Sequence, residues 1–144
     1  MNIIAIDTNI LLRWLVDEDM WPSDNLAQSE AVERLLLDDT KTIFVNTVVV
    51  YETIWLLHRR AKQPKSIILE ILERLLLSSN VRLQHRAAFE NARNVYASSN
   101  CEFYDCLIAE INHLEGCATT FTFDKAASKT RGFTLLTSDS SEQK

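Results

Sequence analysis

Short β-branched or aromatic runs alternate with longer segments of helical periodicity along most of this chain. Residues 2–6 and 42–46 are apolar runs of strand length, and each is followed at once by a polar residue and a helical pattern. Such alternation predicts an α/β fold in which a mainly parallel sheet is buried between helices on both faces. In a sheet of this kind ligands bind beyond the carboxyl ends of the strands, so functional residues are expected there.

The other elements are predicted from the same two periodicities. A helix over residues 10–16 follows the first strand, and the next helix begins near Ser23 with Leu26 and Val32 on its apolar face. Thr47 is the expected cap of the third helix, and Pro64 fits the first turn of the fourth. Two further helices are predicted over residues 85–98 and 103–114, and three further strands over residues 81–83, 118–123 and 133–136.

The composition bounds the class of protein. A chain of 144 residues with 47% hydrophobic content, two Gly and two Pro has enough apolar material for one compact domain, expected over residues 1–137. The polar residues 138–144 read as a flexible tail. No apolar stretch is long enough for a membrane span and the first residues lack the basic region of an export signal, so we expect no membrane association and a cytoplasmic location.

Four acidic residues occupy related positions in the predicted elements. Asp7 closes the first strand, Glu52 lies in the second turn of the helix after the second strand, Asp105 opens a late helix and Asp124 follows a late strand. If the strands are parallel, these carboxylates converge at one end of the sheet. Neighbouring carboxylates repel each other unless a cation lies between them, and Mg²⁺ or Mn²⁺ prefers such oxygen ligands. Hydrolysis of a nucleic-acid backbone is the natural use of such a site.

Each acid also has a purely structural interpretation. Asp7, Asp105 and Asp124 could simply cap helices, because Asp is an ordinary capping residue. Glu52 fits that interpretation less well, since it stands among apolar residues of the sequence, where an unpaired carboxylate is costly.

The segments that carry these acids resemble the four acidic motifs of PIN-domain nucleases, and most closely those of VapC-type toxins. In chain order the segments are IAIDTNILLRWL, VVVYETIWLL, FYDCLIAE and TTFTFDKAASK. The resemblance implies a three-layer α/β/α sandwich, Mg²⁺ or Mn²⁺ bound by Asp7, Glu52, Asp105 and Asp124, and cleavage of RNA. It also implies a homodimer that is inhibited by a VapB-like antitoxin.

Further residues are expected to support the acids. Thr8 and Asn9 match the family's acidic motif and could orient Asp7, although simple helix capping explains them equally well. Thr122 matches a position where the family often carries a hydroxyl. Arg13 could reach a phosphate or an acid, or it could be a surface residue. Many relatives carry a small residue where this chain has Glu110. The Glu110 carboxylate therefore either adds a charge near the site or faces solvent.

Other functions fit the sequence less well. The net charge of −5 argues against nonspecific electrostatic binding of nucleic acid over a broad surface. If RNA is the substrate, a local group of basic residues must bind it. Candidates are the basic stretch 58–65 and the basic residues within 125–131. Cys106, Glu110 and His113 share a helix face but lack the paired-cysteine spacing of a zinc site. The alternative that stays open is a non-catalytic module that binds RNA or protein on the same fold.

Overall fold

The computed structural model describes residues 2–16 and 25–138. Within them the chain forms two compact units, one ending at Gln84 and one beginning at His85. The expected helix start at Ser23 lies outside the described residues, and so does the predicted tail apart from Ser138.

The first unit consists of three strands that alternate with pairs of helices. Its elements are β1 (Asn2–Ala5), α1 (Thr8–Leu15), α2 (Leu26–Leu36), β2 (Lys41–Val45), α3 (Thr47–Arg59), α4 (Lys65–Leu77) and β3 (Val81–Leu83). The strands lie in the order β1-β2-β3 and both pairings are parallel, with Ile4 opposite Ile43 and Ile43 opposite Val81. Helical connections permit this arrangement because a parallel pair needs a long crossover. Both β1 and β2 therefore end at the same edge of the sheet.

The core of this unit is built from the inward faces of its helices and of β2. Most of the predicted stripe of α4 is buried, namely Ile68, Ile71, Leu72 and Leu75. Ile43 and Val45 of β2 are fully buried, as expected for a central strand. Two burial predictions are wrong: Ile3 of β1 is 57% exposed and Leu26 of α2 is 69% exposed. The first lies on the outer strand of the three, and the second is the first residue of its helix.

The caps of the two middle helices differ from prediction by one residue. Asn46 caps α3, because its Oδ1 accepts a hydrogen bond of 2.9 Å from the backbone N–H of Val49. Thr47, the predicted cap, is the first helical residue, and its Oγ1 is buried without a hydrogen-bond partner among the described residues. Pro64 similarly stands at the cap position immediately before α4.

The second unit contains two packed helices and a small sheet. Its elements are α5 (Arg86–Ser98), α6 (Phe103–Leu114), β4 (Thr120–Thr122), a short 3-10 helix (Ala127–Lys129) and β5 (Phe133–Leu135). The two strands pair in parallel. Phe103 of α6 contacts the rings of Phe89 and Tyr96 of α5 edge to face, at centroid distances of 5.6 and 5.8 Å. These aromatic contacts form the centre of the helix pair.

Two glycines set the geometry around α6. Gly116, with φ of +91°, follows the helix end as predicted, since the left-handed region strongly favours glycine. Gly132, with φ of +92°, precedes β5, and a Cβ placed on it would lie 3.1 Å from the Cβ of Ala109. A side chain at residue 132 would therefore press against Ala109 and would hold a φ that residues other than glycine rarely adopt.

These elements confirm the predicted α/β class with parallel strand pairing. Along the described ranges, none of the helices combines the length and the hydropathy that a bilayer crossing requires.

Candidate active site

Asp7 lies just beyond the carboxyl end of β1 and caps α1. Its Oδ1 accepts a hydrogen bond of 3.1 Å from the backbone N–H of Ile10. The residue is exposed, and Oδ2 makes no hydrogen bond with the described residues. Capping and ligand binding are therefore compatible, because the cap occupies one carboxylate oxygen and leaves the other accessible.

Glu52 lies beside the start of α1. The hydroxyl of Thr8 donates a short hydrogen bond to Oε1 of Glu52, which joins the first residue of α1 to the second turn of α3. The expectation that Glu52 lies in apolar surroundings is wrong, because its side chain is exposed. Adjacent residues in a helix point in different directions, so apolar sequence neighbours do not enclose it.

A cavity of about 300 Å³ adjoins Asp7 in the first unit. Its walls come from α1 and α2, and its lining residues are Asp7, Asn9, Ile10, Arg13, Gln28, Ala31 and Val32. Asn9 and Arg13, both selected from the sequence, thus share one cavity with Asp7. Arg13 also lies at hydrogen-bonding distance from Ser29, with 3.5 Å between Nη1 and Oγ.

Asp105 occupies the first turn of α6 and is partly buried. Burial raises the pKa of its carboxyl above the usual range, and the carboxylates of Asp124 and Glu102 raise that pKa further. The three acids are therefore close enough to interact electrostatically. A proton or a cation would relieve this repulsion.

Asp124 is held in place by backbone hydrogen bonds at the end of β4. Its N–H donates to Oγ1 of Thr122 at 3.0 Å. Its Oδ1 accepts from the N–H groups of Ala126 and Ala127 at 2.8 and 3.2 Å, which caps the turn leading into the 3-10 helix. Thr122, a weak candidate from sequence, therefore positions the segment that carries this acid.

The four predicted acids thus form two groups, each described within its own unit. Glu52 is hydrogen-bonded to the neighbour of Asp7 in the first unit, and Asp105 lies near Asp124 in the second. Convergence of all four stays a prediction. In the part of the chain that is described, no group of three or more His, Cys, Asp or Glu side chains has the arrangement of a metal site.

The donor chemistry of the second group suits a hard divalent cation. Carboxylate oxygens are the ligands that Mg²⁺ and Mn²⁺ prefer. Burial raises the pKa of Asp105 most, and the negative charges of Asp124 and Glu102 raise it further; a bound cation would neutralise those charges. The residues present therefore fit the metal that the sequence predicts.

Glu110 does not face solvent, which was one of the two alternatives that the sequence left open. Its side chain is buried, with the residue only 2% exposed, and its Oε1 lies 3.6 Å from Nε of Arg131. Its Oε2 is buried without a hydrogen-bond partner in the described ranges. Glu110 thus anchors Arg131 at the end of the loop that follows the 3-10 helix.

Three features of the second unit escaped the sequence analysis. Glu102 adds a third carboxylate beside Asp105. Phe121 and Phe123, which precede Asp124, are exposed, the latter by 78%. The sequence signal for Glu102 was its spacing of three residues from Asp105 near a helix start. No sequence signal indicated that the two phenylalanines are exposed, because apolar strand residues are normally expected to be buried.

The thiols do not form a zinc site. Cys101 and Cys106 are buried, whereas Cys117 is exposed. A hydrogen bond from the Cys106 thiol lowers the pKa of Cys101, and the same contact raises the pKa of Cys106. Cys106 therefore interacts with another thiol instead of completing a ligand set with Glu110 and His113.

Comparison with known proteins gives one result. The sequence profile of the PIN domain matches residues 4–133, and no curated protein matches the chain. PIN domains are generally nucleases and usually bind a divalent metal ion. The match spans nearly all of the described elements and confirms the predicted PIN-like α/β fold class. The chain is therefore a member of the PIN domain family.

Proposed function

We propose that this protein is a Mg²⁺- or Mn²⁺-dependent endoribonuclease. The observation that carries the proposal is the position of Asp105 beside Asp124 and Glu102, where burial and like charges raise the pKa of its carboxyl. Acids whose pKa is raised by burial together with specific charged neighbours concentrate at functional sites. A surface acid with no ligand to bind would be more stable farther from other carboxylates.

In this proposal Asp7, Glu52, Asp105 and Asp124 hold the metal. When bound, the ion supplies a hydroxide at neutral pH and neutralises charge that develops on the phosphodiester. The hydroxyl of Thr8 orients Glu52, and Thr122 fixes the backbone at Asp124. Asn9 and Arg13, in the cavity beside Asp7, are proposed to contact the substrate.

Single-stranded RNA is the substrate that the surface beside Asp124 favours. Phe121 and Phe123 expose their rings next to this acid. Exposed aromatic rings stack on unpaired bases of any sequence, and each such contact contributes about 1–3 kcal/mol. Because the chain carries a net charge of −5, stacking would supply affinity that overall charge cannot.

We further propose that the protein is a cytoplasmic VapC-type toxin, forms a homodimer and is inhibited by a VapB-like antitoxin. Large apolar side chains are exposed on the helices of the first unit and at their ends, including Leu26, Leu37, Trp55 and Leu77. Exposed apolar residues on a small protein favour burial against a partner. Co-expression with the product of the adjacent gene should yield a stable complex, and a monomer that binds no such product would contradict this assignment.

The nuclease assignment is tested by incubating the purified protein with a single-stranded RNA in Mn²⁺, Mg²⁺ or EDTA. We expect cleavage only with metal, and loss of at least about a hundredfold in Asp105→Asn and Asp124→Asn, since each removes a charged ligand. Glu115→Gln, a change in an exposed acid at the far end of α6, is the matched control. Equal residual cleavage in all variants would indicate contamination and favour a non-catalytic binding module.

A further inference from the structure

The second unit contains a polar cavity that lies outside the acidic group. Its volume is about 410 Å³, within the range of about 300–1,000 Å³ that is usual for ligand sites. One wall comes from the last turns of α5 and the other from the end of the 3-10 helix and the two residues after it. The lining residues are Asn91, Asn94, Val95, Ser98, Ser99, Lys129, Thr130 and Arg131.

The cavity is lined by two cations, and none of its lining residues is acidic. This is unusual for a chain in which Asp and Glu outnumber Lys and Arg by 20 to 15. The carboxamides of Asn91 and Asn94 on the opposite wall add neutral hydrogen-bond donors. The composition of the cavity therefore favours an anion.

Two of the polar side chains are oriented before any ligand binds. Oδ1 of Asn94 accepts a hydrogen bond of 3.2 Å from Nη1 of Arg93, which leaves the amide nitrogen of Asn94 as a donor. The buried Glu110 carboxylate lies 3.6 Å from Nε of Arg131 and fixes that end of the guanidinium. The side chain of Arg131 remains 65% exposed, so its terminal nitrogens can bind a ligand as a fork.

The cationic wall is also connected to the acidic group. Asp124 caps the turn that leads into the 3-10 helix, and Lys129 is the last residue of that helix. Thr130 of the wall forms a hydrogen bond with Cys101, which in turn interacts with Cys106 beside Asp105. The cavity wall and the acidic group are therefore parts of one connected network within the second unit.

We propose that this cavity binds a phosphate group, either a backbone phosphate of the RNA strand or the phosphate of a free nucleotide. The choice of RNA rests on the proposed ribonuclease function, whereas the phosphate site itself does not. The charge and hydrogen-bonding capacity of a phosphate match three groups in the cavity: the guanidinium of Arg131, the ammonium of Lys129 and the side-chain amide of Asn94.

The test uses the full ¹⁵N-labelled chain in EDTA, so that metal-dependent binding at the acids does not contribute. Inorganic phosphate, a 5′-mononucleotide and a short single-stranded oligoribonucleotide are titrated separately. We expect the side-chain amide resonances of Asn91 and Asn94 to shift with at least one of them. A shift with the oligoribonucleotide alone identifies the backbone phosphate, and a shift with the mononucleotide or inorganic phosphate identifies a free-phosphate site.

Lys129→Gln should weaken binding of the active probe about tenfold, the effect expected for loss of one charged hydrogen bond. For the oligoribonucleotide, the slope of log affinity against log salt should also fall by about 0.7. Arg86→Gln is the charge-matched control, because Arg86 is an exposed cation on the same α5 that pairs with Glu90 away from the cavity. Asn94→Asp should abolish binding by placing a negative charge on the wall.

The proposal is overturned if none of the probes shifts the amides of Asn91 and Asn94, or if Lys129→Gln behaves as Arg86→Gln does. These outcomes are distinguishable from failure of the nuclease assignment. If RNA is cleaved with metal but no probe shifts the cavity amides, only the phosphate-site proposal is rejected. If phosphate binds but RNA is not cleaved, only the nuclease assignment is rejected.

Discussion

The Thr8 hydroxyl donates a hydrogen bond to the Glu52 carboxylate across 44 residues of sequence. Thr8 is the first residue of α1 and follows Asp7, so the contact fixes Glu52 relative to the helix start that Asp7 caps. If Glu52 is a metal ligand, Thr8 acts through it as a positioning residue. Hydrogen bonds to ligating carboxylates commonly influence metal affinity.

Replacement Thr8→Val should therefore weaken metal binding and RNA cleavage by about tenfold, because the isosteric side chain cannot donate to Glu52. Thr8→Ser keeps the hydroxyl and should recover most of the loss. The measurement is cleavage rate as a function of Mn²⁺ concentration, where the metal requirement should rise. Equal metal dependence in Thr8→Val and wild type would show that this hydrogen bond is only structural.

Removal of the Asp105 charge should have opposite effects with and without metal. In EDTA, Asp105→Asn should raise the melting temperature by about 2 °C, since it eliminates a partly buried charge near Asp124 and Glu102. Metal at 100 times its Kd should stabilise the wild type by about 2.7 kcal/mol. The variant should lose most of that gain. Thermal melts at several metal concentrations check both effects, and unchanged metal stabilisation in the variant would exclude Asp105 as a ligand.

The cap of α3 gives a test of the fold that is independent of function. Asn46→Ala should lower the free energy of unfolding by about 1 kcal/mol, because the N–H of Val49 loses its acceptor. Thr47→Val should be nearly neutral or stabilising, since it replaces a buried hydroxyl that lacks a partner in the described residues. Urea unfolding of both variants measures these free energies. A larger loss of stability in Thr47→Val than in Asn46→Ala would show that Thr47 is the cap.

Tyr96 should ionise only at high pH. Burial, and secondarily the carboxylate of Glu102, raise the pKa of its phenol to about 12. A raised pKa in the folded state means that the neutral phenol stabilises the fold fully below its ordinary pKa of 10.0, and that this contribution is lost as the pH rises through about 12. The difference in phenolate absorbance between wild type and Tyr96→Phe isolates this group. A midpoint near 10 in that difference would contradict the burial of Tyr96.

Local sequence signals predicted some elements to the residue. β3 and α6 have the bounds expected from the sequence, because a polar turn precedes the strand and Gly116 follows the end of the helix. The cap of α3 was misassigned by one position, since Asn46 and Thr47 are consecutive capping residues and sequence alone does not rank them. Errors of this kind move a boundary without changing the fold.

Properties that depend on distant contacts could not be predicted in this way. Glu110 is buried, and its cationic partner Arg131 lies in another element. Phe123 is exposed and lies just after β4, whereas the apolar pattern of residues 118–123 predicted that it belongs to a buried strand. That the four acids form one set stays a prediction, and only tertiary structure reveals that Glu102 adds its charge beside Asp105.

The close approach of Gly132 to Ala109 links backbone packing to the acidic group. Asp105 and Ala109 are one helical turn apart on α6, while Gly132 leads into β5, whose partner β4 ends just before Asp124. The separation between helix and sheet thus helps to determine how far apart the two carboxylates stand. A methyl group added at residue 132 would therefore act on the spacing of these acids through the packing against Ala109, without contacting either carboxylate.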